Sequence, residues 1–229
     1  MKVAIDVCAA PGSWSQLLLK KMHEGFAKSG SEEQVPEDCK LISVDLQPIN
    51  QLKGAVTIQG DITKKETFDK IVSSLGGSRA DLVVCDGAPD VTGFHDIDSF
   101  LQSQLLVAAL NIALQTTKPD GHFVAKVFLS SDDFFLTSQF KLFYKQVTIF
   151  KPHSSRSSSA EHFIVCKFYD PPKHFALNFF STFCGFQESF VKTEGLESEE
   201  KDKVVKTNEK IYEFVTNMDL SSFDVKLPN

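Results

Sequence analysis

The sequence predicts an α/β fold built on a doubly wound, seven-stranded, mostly parallel sheet with one antiparallel edge strand. Three observations support this class. The 229 residues are 42% hydrophobic and 24% charged, which is typical of a soluble domain with one sizeable core. Short apolar runs alternate with longer amphipathic stretches as far as about position 170, as parallel strands alternate with crossover helices. The last two runs lack a helical stripe between them, which favours an antiparallel hairpin.

Seven short apolar runs are predicted to be strands. They cover residues 3–7, 41–44, 55–58, 82–85, 123–128, 147–150 and 163–168. The segment that separates the last two runs, 151–162, has no apolar spacing of the helical kind. We therefore place these two strands as a hairpin at one edge of the sheet.

Four stretches between the runs carry helical signals, and they cover residues 13–22, 66–75, 97–114 and 132–143. In the third stretch, apolar residues recur at intervals of three or four, which predicts a helix with one apolar face. The members of that stripe are Ile97, Leu101, Leu105, Ala108 and Ile112.

The predicted main domain covers residues 1–172, and the character of the chain changes after Pro171 and Pro172. Segment 187–202 holds six carboxylates against two lysines. We expect residues 173–229 to form an acidic connector and a short C-terminal segment, 211–223, that docks on the domain.

Charge and cysteine usage narrow the possible functions. Lys and Arg number 24 against 30 Asp and Glu, so a net charge of -6 argues against a generally cationic nucleic-acid binder and still allows a local basic face. No apolar run is long enough to span a bilayer and no signal-peptide pattern is present, which predicts a soluble, unsecreted protein. Five scattered cysteines without a CxxC pair predict reduced core residues, and neither they nor the histidines are spaced as metal ligands.

Four consecutive predicted strands end in a carboxylate or a glycine. The first is followed by a turn of small residues that includes Gly12, with Ser13 or Ser15 available as a helix cap. The next three lead into Asp45, Asp61 and Asp86. Taken singly, such residues are more often turn formers or caps. Together, at the carboxyl edge of a parallel sheet, they favour a cofactor crevice, with Asp45 placed to hold ribose hydroxyls.

Two further charged residues are candidates for chemistry. Lys126 lies inside an apolar strand, where an unpaired ammonium group is costly, so we expect it to pair with Asp86 on the neighbouring strand and to face the crevice. The alternative is an edge-strand lysine that extends to solvent. Glu161 precedes the last strand and follows a serine-rich loop with Arg156, which suits either phosphate contacts or a simple flexible turn.

Six motifs occur in the order typical of one known family. They are DVCAAPGSWSQ (6–16), VDLQ (44–47), QGDIT (59–63), DLVVCDGAPDVTG (81–93), FVAKVF (123–128) and KPHSSRSSSAEHFIVC (151–166). With these motifs the chain resembles the FtsJ/RrmJ family of ribose 2'-O-methyltransferases, and within it the eukaryotic tRNA branch. The resemblance implies a Rossmann-like, S-adenosylmethionine-dependent methyltransferase fold.

The resemblance also implies roles for residues. The cofactor S-adenosylmethionine would lie against Gly12 and Trp14, with Asp45 at its ribose, Asp61 beside its adenine and Asp86 near its methionine end. The family uses a Lys-Asp-Lys-Glu tetrad, and the last three members match the catalytic candidates Asp86, Lys126 and Glu161. The implied acceptor is a ribose 2'-hydroxyl in a tRNA anticodon loop, in the cytoplasm, with a separate large partner protein selecting the nucleotide.

Departures from the family pattern leave alternatives open. The first tetrad lysine belongs to a helix ahead of the first strand, and no residue of this sequence matches it. Segment 129–132 reads LSSD where the branch has Arg-Gly-Arg-Asp, and His153 stands in place of an arginine. The alternatives are a non-catalytic scaffold that keeps the cofactor fold, and a methyltransferase that acts on rRNA or on an mRNA cap.

Overall fold

The computed structural model describes residues 1–27, 39–88, 95–128, 137–138, 140–156 and 159–172. The strands within this part are β1 (Val3–Val7), β2 (Lys40–Asp45), β3 (Ala55–Gln59), β4 (Ala80–Cys85), β5 (Thr117–Phe128), β6 (Tyr144–Phe150) and β7 (Glu161–Tyr169). The helices are α1 (Ser13–Ala27), α2 (Lys65–Leu75) and α3 (His95–Thr116). Half of the predicted helix 132–143 and the whole of the predicted tail 173–229 lie outside the described residues.

The seven strands form a single sheet in the order β3-β2-β1-β4-β5-β7-β6. Strands β1 to β5 are parallel, and β7 runs antiparallel to both of its neighbours. The predicted fold class and the predicted hairpin of the last two strands are therefore confirmed. The strand that runs antiparallel to its neighbours is β7, which lies between β5 and the edge strand β6.

Strand β5 begins at Thr117, well before the predicted boundary at 123. The added residues 117–122 include Lys-Pro-Asp-Gly, which reads as a turn in sequence because it is polar and contains proline and glycine. They become part of the strand because Thr117 pairs with Ala80 of β4, with a register irregularity before Leu82. Pairing across the sheet thus overrides the local turn preference.

Alternate residues of the central strands face opposite layers of helices, because successive side chains of a strand point to opposite faces. On one face, odd-numbered residues such as Ile5 and Val83 pack with Ile71 of α2 and Leu110 of α3. On the other face, a smaller cluster joins strand residues to α1; it contains Ala4, Leu41, Val84, Leu18 and Met22, with Trp14 and Val124 packed against it. Both faces are covered, as parallel sheets require.

The helix predicted at 97–114 is confirmed as part of α3, and Ala108 and Ile112 of its predicted stripe are buried, but burial is not confined to that stripe. Leu101 is 36% exposed, whereas residues 106–114 are buried without interruption. A helix buried on all sides has no polar face, so a periodic stripe is not the signal that identifies it. Its small residues, among them Ala108, Ala109 and Ala113, allow this close packing.

The described cysteines are unpaired as thiols. Cys85 and Cys166 are buried and Cys8 and Cys39 are half-buried, in agreement with the predicted reduced cysteines in or beside the core. Among the described residues, no helix combines the length and apolar content needed to cross a lipid bilayer.

Candidate functional site

The candidate site lies where the order of the strands reverses, at the carboxyl ends of β1 and β4. In an open parallel sheet the loops on either side of such a point diverge and leave a crevice for a ligand. Six predicted site residues belong to β1 to β5 or to the segments that follow these strands, and all six lie at this edge. They are Gly12, Trp14, Asp45, Asp61, Asp86 and Lys126.

The turn after β1 is held against the end of β2. The backbone N–H of Ala9 donates to the carbonyl of Val44 (3.0 Å), and that of Ala10 donates to Oδ2 of Asp45 (2.8 Å). Gly12 adopts a φ of +113°, which side chains of L-residues rarely allow, and its carbonyl accepts the first hydrogen bond of α1. The small residues of the motif therefore serve a sharply bent backbone at the end of β1.

The carboxylates of Asp45 and Asp61 are both held by local hydrogen bonds. Asp45 accepts from Gln47 N–H at 2.7 Å in addition to Ala10. Asp61 accepts from the N–H and the hydroxyl of Thr63, at 2.9 and 2.7 Å, just ahead of α2. Both side chains are thereby fixed at the rim of the crevice. Their roles toward the ribose and the adenine of a cofactor stay predictions.

Lys126 and Asp86 form the predicted ion pair. The Nζ of Lys126 lies 3.1 Å from Oδ1 of Asp86, and the lysine side chain is only 11% exposed. Asp86 follows β4 directly, and Gly87 after it packs so closely on Cys8 that a Cβ would lie 2.8 Å from the sulfur. Neighbouring strand ends thus place the pair within the crevice, and the alternative of a solvent-directed edge lysine is wrong.

Glu161 shares a face with Lys126 without pairing to it. Lys126 lies opposite Phe163 across the β5–β7 ladder, and Glu161 lies opposite Phe128. Glu161 is therefore the diagonal neighbour of Lys126, and such positions are typically about 7–8 Å apart. Among the described residues the recorded ion pair of Lys126 is the one with Asp86. A catalytic role for Glu161 stays a prediction.

Two residues of the site were missed by sequence reasoning. The ring of Phe163 stacks on Trp14 with centroids 5.5 Å apart, and this brings the start of α1 onto the face of Lys126. Gln102, buried on α3, donates from Nε2 to the carbonyls of Gly87 and Lys126, both at 3.0 Å. It joins the two strand ends that carry the ion pair. The signal in the sequence that could have identified Gln102 is a polar residue just before the apolar part of α3.

A buried polar network lies beneath the crevice. Asp6 of β1 is fully buried and accepts a hydrogen bond from Ser15 of α1, and the Ser15 hydroxyl also bonds that of Ser43 on β2 at 2.7 Å. Ser15 is thus engaged with Asp6, although the sequence suggested it as a possible cap. The pKa of Asp6 is raised to about 6, mainly by burial. The hydrogen bond from Ser15 opposes this rise, and the charges of Asp86 and Asp45 add to it.

Replacing Asp6 by asparagine is expected to change how stability depends on pH. The pKa of Asp6 is 3.8 when exposed and about 6 in the fold, so the folded state holds the proton after the unfolded state has released it. The contribution of Asp6 to wild-type stability should therefore fall as pH rises through that window, by about 3 kcal/mol in total, at roughly 1.4 kcal/mol per pKa unit. Denaturation of Asp6→Asn across the window should lack this fall.

The exposed residue Asp120 supplies the control for that measurement. Asp120→Asn removes a carboxylate that is paired with Lys145 at the surface, so it should keep the wild-type pH dependence. An Asp6→Asn protein that retains the fall in stability would contradict the assignment to Asp6.

No group of three or more His, Cys, Asp or Glu side chains in the described part of the chain is arranged to hold a metal ion. The site is instead a crevice rimmed by carboxylates, with one buried lysine and an aromatic stack.

Comparison with known proteins gives consistent results. Residues 1–169 match the profile of the family described as FtsJ-like methyltransferase. The chain is 52% identical over 172 residues to the tRNA (cytidine(32)/guanosine(34)-2'-O)-methyltransferase of Homo sapiens, covering 75% of this chain and 49% of the human protein. It is 46% identical over 174 residues to the protein of that name from Schizosaccharomyces pombe, covering 76% and 60% of the two chains.

The chain thus spans about half of the human relative and three fifths of the yeast one. A crystal structure from Plasmodium falciparum, described as a ribosomal RNA methyltransferase, has a similar fold. Its TM-score is 0.62 at 22% identity, over 75% of this chain and 88% of that one.

Proposed function

Because the chain belongs to the FtsJ-like methyltransferase family, we propose that it is an S-adenosylmethionine-dependent tRNA methyltransferase that modifies ribose 2'-hydroxyls of anticodon-loop nucleotides. The observation that carries the proposal is the ion pair in the crevice between the largely buried Lys126 and Asp86. The human and yeast relatives, named for positions 32 and 34 of tRNA, support this choice of acceptor.

The electrostatics of the crevice suit a cationic cofactor. Asp6, Asp45 and Asp86 lie close enough that the latter two raise the pKa of the first. Such a concentration of negative charge favours a ligand with a sulfonium and an ammonium group. Gly12, Trp14, Asp45, Asp61 and Asp86 are the residues that would hold it. When bound, S-adenosylmethionine supplies an electrophilic methyl group.

The chain's own contribution is alignment and charge. Methyl transfer requires the ribose oxygen, the carbon and the sulfur to lie in line, so most of the acceleration comes from positioning. The Nζ of Lys126 is held by Asp86, and the backbone of Lys126 is held by Gln102. In its neutral form Lys126 can accept the proton of the hydroxyl, and in its charged form it can stabilise the developing alkoxide. Glu161 lies on the same face, as the diagonal neighbour of Lys126.

An anticodon loop is a suitable substrate because unpaired nucleotides can reach a recessed site, whereas paired ones are held within a helix. The net charge of -6 gives the chain little general attraction for RNA. We therefore include in the proposal a separate large partner protein that selects the nucleotide. A cytoplasmic location agrees with this substrate and with the free thiols of the core.

The test is methyl transfer from labelled S-adenosylmethionine to separated tRNA, rRNA and capped mRNA, together with direct calorimetry of cofactor binding. We expect cofactor binding and label confined to the anticodon loop of tRNA. Label in rRNA or in the cap would favour the corresponding alternative. Cofactor binding without transfer to any RNA, with candidate partners added, would favour the scaffold.

A further inference from the structure

We propose that Phe150 is a stacking platform for an unpaired base of the RNA substrate, beside the proposed catalytic lysine. Phe150 ends the edge strand β6 and is 50% exposed, although its pairing partner across the ladder is another aromatic residue, Phe163. This inference rests on the proposed function and names how the same site would hold its RNA.

The register of the sheet places Phe150 in line with the active site. Phe150 pairs with Phe163 of β7, and Phe163 pairs with Lys126 of β5. Paired residues of adjacent strands share a face, so Lys126, Phe163 and Phe150 form one row across the sheet. Two strand spacings separate the ends of that row, or about 10 Å. A nucleotide held at Lys126 therefore has the exposed ring within reach of its own base or of the next one.

The inner part of the row is already covered by protein. Trp14 of α1 stacks on Phe163, so the ring of Phe163 is partly covered. Phe150 is the next ring outward, and its exposed surface continues the aromatic row toward solvent. Every nucleobase has a π-face, and proteins that bind single-stranded RNA use exposed aromatic rings of this kind.

The loop next to Phe150 has the composition of a phosphate-contacting segment. Residues 151–160 contain Lys151, Arg156 and five serines, and no carboxylate, in a chain that is acidic overall. Arg156 is exposed, and the Nζ of Lys151, the residue that follows Phe150, donates to the carbonyl of Ser159 at 2.8 Å. An aromatic ring flanked by cations and hydroxyls suits a nucleotide better than it suits an apolar protein surface.

Phe150→Ala should raise the Kd for a tRNA anticodon stem-loop roughly 5- to 100-fold, the range expected for loss of one base stacked on an aromatic ring. Cofactor affinity should stay at the wild-type value. Phe150→Trp should restore binding, whereas Phe150→Leu, which keeps apolar bulk without a π-face, should not. A fluorescent adenine analogue in the loop should be quenched by wild type and by Phe150→Trp only.

Phe168→Ala is the matched control, because Phe168 is also an exposed phenylalanine (39%) near the opposite end of β7. It should bind the stem-loop as wild type does. Equal binding by Phe150→Ala and wild type would overturn the proposal, and so would full rescue by leucine, which would indicate a protein contact. These outcomes are separate from the proposed function, which is tested by methyl transfer from wild type to the separated RNA classes.

Discussion

Lys126→Met is expected to abolish methyl transfer while leaving cofactor binding intact. Methionine keeps the length and the apolar contacts of the buried stem but has no amine, so it can neither accept a proton nor stabilise an alkoxide. Loss of either contribution is worth roughly a 100- to 10,000-fold decrease in kcat. Single-turnover transfer to tRNA measures the effect, and calorimetry with S-adenosylmethionine checks that the crevice is preserved.

A surface lysine gives this prediction a matched control. Lys145 is half-exposed and pairs with Asp120 at 3.0 Å, nearly the separation of Lys126 from Asp86, near the amino-terminal end of β5. Lys145→Met should leave the rate of transfer unchanged. Undiminished transfer by Lys126→Met would refute a catalytic role for Lys126.

Asp86→Asn is expected to give the second largest loss, roughly 100-fold in kcat. The amide keeps the shape of the carboxylate but not its charge, so the Nζ of Lys126 loses the partner that now lies 3.1 Å away. A misplacement of about 1 Å in a catalytic group can cost this much. The rate measured at saturating cofactor isolates the effect on Lys126 from any weaker cofactor binding.

The corresponding control for Asp86 is Asp120→Asn, which breaks an exposed ion pair of similar length far from the crevice. It should keep the wild-type rate, because exposed pairs contribute little even to stability. If Asp86→Asn raised only the KM for the cofactor and left kcat unchanged, Asp86 would be a binding residue alone.

Much of the site could be predicted from sequence because its residues follow directly from the ends of strands. An apolar run predicts a strand, parallel strands align their carboxyl ends, and residues just beyond them must meet at one edge. The direction of the strands alone therefore predicts that Asp45, Asp61 and Asp86 lie at one edge of the sheet. It also predicted the pairing of Lys126, since an ammonium within an apolar strand needs a nearby carboxylate.

The sequence by itself determined the fold class, the hairpin, the crevice and the Lys126–Asp86 pair, because each depends on local pattern and on the direction of neighbouring strands. Only the tertiary structure decided which distant residues complete the site. Gln102 reaches Gly87 and Lys126 through the packing of α3, and Phe163 meets Trp14 through the register of β7. Asp6 gains its raised pKa from burial and two other carboxylates. Such contacts join residues far apart in the chain, so no local pattern specifies them.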